Sequence, residues 1–213
     1  AGTGGNITFT GAVGAATPLG DLVVTDGAAQ TYAVLTVAAL TISDATTSVT
    51  FGGAITATSA MDIDSGGTIA LNAAVTATTT VNIDATGVTT VAAAGDITAS
   101  GAVAFGAAKT GLLTTSGNIT TTNDNITFTR AVTLGGAVVL DTGANAGNIL
   151  FSSTIASATN ALTLDAGTGG NITLGALTGG GALSVTDGAA QVYAVLTVAA
   201  LTISDATTSV TFG

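Results

Sequence analysis

The sequence has no cysteine, histidine, tryptophan or glutamate, a single proline, and only two cations, Lys109 and Arg130, in 213 residues. Each absence narrows what the chain does. Without His, Glu and Cys the usual general acids, bases and nucleophiles are gone, which argues against an enzyme. Two cations against twelve aspartates give a formal net charge of −10. Phosphate binding needs clustered Lys and Arg, so nucleic acid is not an expected partner. The same scarcity removes the i,i+4 charge pairs that hold solvent-facing helices together. What remains is a structural, adhesive or cation-binding role.

The residues present are small. Forty-seven per cent are hydrophobic, mostly Ala, Val, Ile and Leu, and they alternate with 30 glycines and 44 threonines. The longest nearly apolar stretch, 32–42, is broken by Thr36 and Thr41. No membrane-spanning helix, and so no membrane insertion, is expected. Extended chain suits β-branched side chains on an alternating pattern better than helix does.

A long repeat organises the chain. Residues 22–52, LVVTDGAAQTYAVLTVAALTISDATTSVTFG, return at 183–213 with changes only at Val23/Ser184 and Thr31/Val192, an offset of 161. Upstream, AGTGGNIT at 1–8 returns at 166–173 with an offset of 165, so four residues were gained or lost around 15–18, which marks a loop. The pattern is already under way at residue 1. Residues 1–213 are therefore read as one continuous segment of a longer tandem-repeat chain with a unit of about 161–165 residues.

Within the long unit runs a shorter beat of 18 to 24 residues. One strand class ends in Asp or a small polar residue: LVVTD at 22, LTISD at 40, MDIDS at 61, VNIDA at 81, AVVLD at 137, LTLDA at 162. A second class reads NITF at 6 and 125, SVTF at 48 and 209, TIAL at 68, NILF at 148 and NITL at 171. Both alternate apolar and small polar residues, as a strand with one buried face does. Sandwiches and barrels place turns every ~8–12 residues. A beat near 20 instead predicts an all-β fold, a parallel β-solenoid of about 20 residues per coil and roughly ten coils. Coils stacked at about 4.8 Å would bring Phe9, Phe51, Phe128, Phe151 and Phe212 into one inward ladder, with Leu71 and Leu174 as substitutes. Asn6, Asn125, Asn148 and Asn171 are expected to form an amide ladder beside it.

The strings GGNITF, NALTLDAGTGGNITL and GAAQTYAVLTVAALTI resemble the β-strand repeats of giant bacterial surface proteins, the filamentous-haemagglutinin-like adhesins. The resemblance implies a right-handed parallel β-helix stalk, exported to the cell surface or shed from it, an extracellular structural protein without catalysis. Its partners would be further copies of itself, end to end or side by side, and a host or cell-surface glycan or protein. The alternative reading is an adhesive module that contacts carbohydrate or protein along the rod, followed by an ice-binding or a polysaccharide-degrading β-helix, the last disfavoured by one Lys and one Arg. The resemblance carries over no binding residue.

Four features hold residual chemistry. Asp44, Asp64 and Asp84 fall at comparable points of successive coils with Asp62 beside them, a carboxylate ladder that would suit Ca²⁺ or would simply cap strands and keep the rod solvated. No other cofactor is expected. GTGGN at 2 and 167 lacks the Asp of a calcium nonapeptide and the Gly-Lys-Ser/Thr of a phosphate loop. The pairs Thr8/Thr10, Thr56/Thr58, Thr76/Thr78 and Thr127/Thr129 would offer ice a hydroxyl lattice if one flat face held them. Asp96, Lys109, Asp124 and Arg130 lie in 95–130, where the rhythm slips, and either pair with one another or mark a bulge.

Overall fold

The computed structural model describes residues 1–106, 109 and 111–213. The expected slip at 95–130 falls in part on 107, 108 and 110, outside the described residues. Every regular element among those described is a β-strand, and every pairing between strands is parallel. Most strands are three to five residues long with the burial order in, out, in. Three residues that begin with Val, Ile or Leu and mostly end in Ala, Phe or another apolar residue fix one short, half-buried stretch, and Gly, Ser, Asn or Thr then turns the chain.

Three ladders run the length of the molecule, one per side of each coil, and we call them faces A, B and C. Face A begins with Leu22–Val24 and the first part of Leu40–Phe51. It continues through Met61–Ser65, Val81–Ala85, Val103–Phe105, Ile126–Phe128 and Ile149–Phe151, then the starts of Ile172–Gly179 and Ala190–Leu196, and Ser209–Phe212. Face B holds Ile7–Phe9, Gly27–Tyr32, the end of Leu40–Phe51, Thr68–Leu71, Thr89–Val91, Leu113–Thr115, Val132–Leu134, Ile155–Ala158 and the ends of Ile172–Gly179 and Ala190–Leu196. Face C holds Leu35–Val37, Ile55–Ala57, Val75–Ala77, Ile97–Ala99, Ile119–Thr120, Val138–Asp141, Leu162–Asp165, Ala182–Asp187 and Ala200–Ile203. The chain is thus an all-β solenoid of about ten coils.

The interior is a set of stacked columns. On face C the order Leu35, Ile55, Val75, Ile97, Ile119, Leu140 and Leu164 keeps one register, and all seven are buried. Side chains of one size at one height let each coil repeat the packing of the last.

The aromatic residues form two columns, not the single one expected. Phe9, Tyr32 and Phe51 stack on face B with centroids 5.4 and 5.1 Å apart. Phe105, Phe128 and Phe151 stack on face A at 5.4 and 4.3 Å, and Tyr193 and Phe212 continue that face. Phe105 belongs to the second column although no NITF motif marks it. Phe212 stacks on Tyr193 through one ring face and is otherwise exposed.

The amide column likewise divides. Asn125, Asn148 and Asn171 line face A, while Asn6 precedes face B. The main bond is main-chain to side-chain. The Asn148, Asn171 and Ala190 amides donate to the Oδ1 of Asn125, Asn148 and Asn171 at 2.9, 2.8 and 3.1 Å. An amide-to-amide bond joins Asn148 to Asn125 at 3.0 Å. The side chain thus accepts a strand-entry N–H from the next coil that would otherwise be left over.

The four-residue difference between the repeats is visible as geometry. Val13 pairs with Leu35 and Leu19 with Val37. Six positions on one side therefore oppose two on the other, and 14–18 bulge out.

Candidate functional site

The two cations meet carboxylates at the corner between faces A and B. Asp64 and Asp84 are in register on adjacent coils. Lys109 pairs with Asp64 and Arg130 with Asp84, the latter at 3.3 Å. Each cation reaches back across two coils, a span of about 10 Å that only long side chains bridge. Their sequence neighbours take other roles: the Asp96 carboxylate accepts the Asn118 amide at 2.7 Å, and the Asp124 carbonyl accepts the Thr121 hydroxyl at 2.6 Å.

Arg130 is 3% exposed, as is Asp84. Its guanidinium donates to the Thr89 hydroxyl at 3.0 Å, the Ile83 carbonyl at 3.0 Å and Asp84. Burial lowers its pKa and the Asp84 charge opposes that shift. Gly106, at φ +84°, makes room for it, because a Cβ there would lie 2.6 Å from the Arg130 Nε. The arrangement is a buried, charge-neutral clamp that ties three successive coils at one corner.

The calcium candidates separate under this geometry. Asp64 and Asp84 are adjacent and each faces a cation. Asp62 lies two residues along on the same strand and accepts the Asn82 side-chain amide at 2.8 Å. Asp44 sits in a bulge where the register shifts between Ile42 and Ala45, which displaces it from the column. Among the described residues no group of three or more such ligands converges on a point that would hold a metal ion.

A three-coil aspartate column does exist, on face C. Asp141, Asp165 and Asp187 are in register. Asp141 and Asp165 each accept the amide two residues on, from Gly143 at 2.7 Å and Gly167 at 3.0 Å, as turn-capping residues do. Sequence reading missed it because only the paired register reveals that AVVLD and LTLDA lie on face C, whereas MDIDS and VNIDA lie on face A.

Threonine covers two faces. On face B the outward positions run Thr8, Thr31, Thr50, Ala70, Thr90, Thr114, Thr133, Ala156, Thr178 in one register. On face C, Thr36, Thr56, Thr76, Thr98 and Thr120 form a second column. The four pairs singled out in the sequence do not share a face: Thr8 lies on B, Thr56 and Thr76 on C, and Thr127 on A, with Thr129 bonded to the Phe105 and Gly106 carbonyls.

An open groove of about 370 Å³ lies where Phe9, Tyr32 and Val34 meet the small residues Ala33, Gly52 and Gly53. Its walls are mostly apolar, with the Thr8, Thr10 and Thr31 positions at the edge. Among the described residues no helix is long and apolar enough to cross a membrane. No protein-family model, curated protein or solved structure matches the chain.

Proposed function

We propose that the chain is a structural segment of a long extracellular bacterial filament or adhesin stalk, without catalysis. The observation that carries this reading is the continuous parallel pairing of about ten coils, combined with a 31-residue block that recurs with two changes. A fold in which each coil touches mainly its neighbours gains length by adding units, at no cost to the packing of existing ones. Such a fold spans distance. Columns of threonine on the outside keep it hydrated with few charged residues. Neighbouring copies of the chain are its proposed partners. Immunogold electron microscopy of the native source, with antibody to the 22–52 sequence, tests this reading. Regular labelling along filaments outside the cell is expected; label confined to the cell interior contradicts it.

A second reading, an adhesive module that contacts carbohydrate or protein along the rod, is favoured by the face B threonine column. Its repeated hydroxyls, about 4.8 Å apart, form an uncharged hydrogen-bonding surface. Glycan-array binding that is lost when Thr90 and Thr114 become Val supports this reading.

A further inference from the structure

We propose that the long unit advances by a non-integral number of coils, so that each copy displays the same surface turned by a third of a turn about the rod. The two copies of the 31-residue block do not occupy equivalent faces. In the first, Leu22 lies on face A, Gln30 and Tyr32 on B, and Leu35 on C. In the second, Leu183 lies on C, Gln191 and Tyr193 on A, and Leu196 on B. From Leu22 the face A register steps through 40, 61, 81, 103, 126 and 149 to 172, seven coils, and 183 is two faces further.

The local structure is nevertheless preserved. Tyr32 donates to Gln30 at 2.7 Å and Tyr193 to Gln191 at 2.6 Å. Ala29 donates to Asn6 at 3.2 Å and Ala190 to Asn171 at 3.1 Å. The Thr46 and Thr207 hydroxyls each donate to a carbonyl two coils back, of Thr3 and Thr168, at 3.2 Å. A block that makes the same bonds on different sides shows that the three sides are interchangeable, since each offers a short strand with similar apolar residues inward. The change of phase falls between 85 and 125: the Asp-ending strands lie on face A up to Val81–Ala85 and on face C from Val138–Asp141. Lys109 and Arg130 lie at or just beyond this stretch, and both reach back to Asp64 and Asp84 on its near side. They pin the new phase to the old one.

The consequence is a rotating display. The corner sequence Ser-Asp-Ala-Thr-Thr-Ser projects between faces A and B at 43–48 and between C and A at 204–209. In a tandem array, which rests on the stalk reading, three units return to the starting side, so a partner that reads this corner finds it all around the fibre. Fab fragments raised against Ser-Asp-Ala-Thr-Thr-Ser and imaged on the 213-residue chain test the proposal. Two Fabs about a third of a turn apart, separated by about 37 Å along the axis, are expected; two Fabs in line on one side overturn it. Where only one Fab or none binds, cysteine pairs decide. T163C/S184C should oxidise to a disulfide, because these positions are in register on face C, and T173C/S184C should not. Closure of the second pair, or failure of the first, overturns the proposal. These results concern phase alone, so they stand apart from the labelling that tests the stalk.

Discussion

Arg130 and Asp84 are 46 residues apart in sequence and 3.3 Å apart in space, and the contact crosses an intervening coil. It is the most enclosed charge pair described, with side-chain exposures of 0% and 4%. A guanidinium in this position is held by two neutral acceptors as well as the carboxylate, so its loss removes three hydrogen bonds from a buried corner.

Arg130→Met should therefore destabilise the chain by about 3–5 kcal/mol, the usual cost of breaking one side of a buried pair. The double change R130M/D84N should recover part of that loss, because it also removes the buried carboxylate charge that Arg130 balances. Lys109→Met should cost under about 1 kcal/mol, since its pair with Asp64 is partly exposed. Thermal and denaturant unfolding followed by circular dichroism separates the three; equal losses for R130M and K109M would contradict the clamp.

Backbone proximity at the same corner gives a second test. The Gly87 amide donates to the Gly67 carbonyl at 2.9 Å, and a Cβ at Gly87 would lie 2.7 Å from that oxygen. Gly87→Ala should cost about 1–3 kcal/mol through overpacking. Gly20→Ala, where a Cβ would meet nothing within 4 Å, should leave the melting temperature unchanged.

The aromatic column on face A supplies a third. Phe128 lies between Phe105 and Phe151 and is buried. Phe128→Ala should cost about 3–5 kcal/mol, and Phe128→Leu under about 1.5 kcal/mol. Comparable losses for both would mean that the ring stacking, rather than the filled volume, holds the column.

Alkaline pH gives a fourth. Burial pushes the Tyr193 phenol from its ordinary 10.0 up to about 12 and raises Tyr32 further. The folded chain thus holds phenolic protons that the unfolded chain releases near pH 10, so ν is larger in the native state and stability falls as pH rises. The stabilising effect is complete below pH 10 and is lost between 10 and about 12. Absorbance at 295 nm should rise together with loss of the strand signal; a separate phenolate transition at pH 10 in the folded chain would contradict the burial.

Calcium removal provides a fifth. Asp64 and Asp84 face cations and Asp44 is displaced by its bulge. Chelator should leave the melting temperature unchanged. A fall of many degrees would mean that aspartates of this chain take up the ion together.

The solenoid was legible in the sequence because a strict alternation over a 20-residue beat leaves few other ways to bury one face. The number of sides was not. NITF at 6 and NITF at 125 look alike because each must place Ile and Phe inward, and any of the three sides meets that demand. Phe9 and Phe128 therefore read as one column and lie in two. The partner of Arg130 was equally hidden, since Asp84 becomes a neighbour only once two coils are stacked. The loop at 15–18 was legible because two copies with unequal offsets mark where residues were added.

Single-molecule force spectroscopy tests the additive architecture most directly. Coils that bond mainly to their neighbours should yield one or a few at a time, with extensions of about 70 Å for each 20-residue coil as it straightens. Rupture of all ten coils in one event, or extension without measurable resistance, would contradict it.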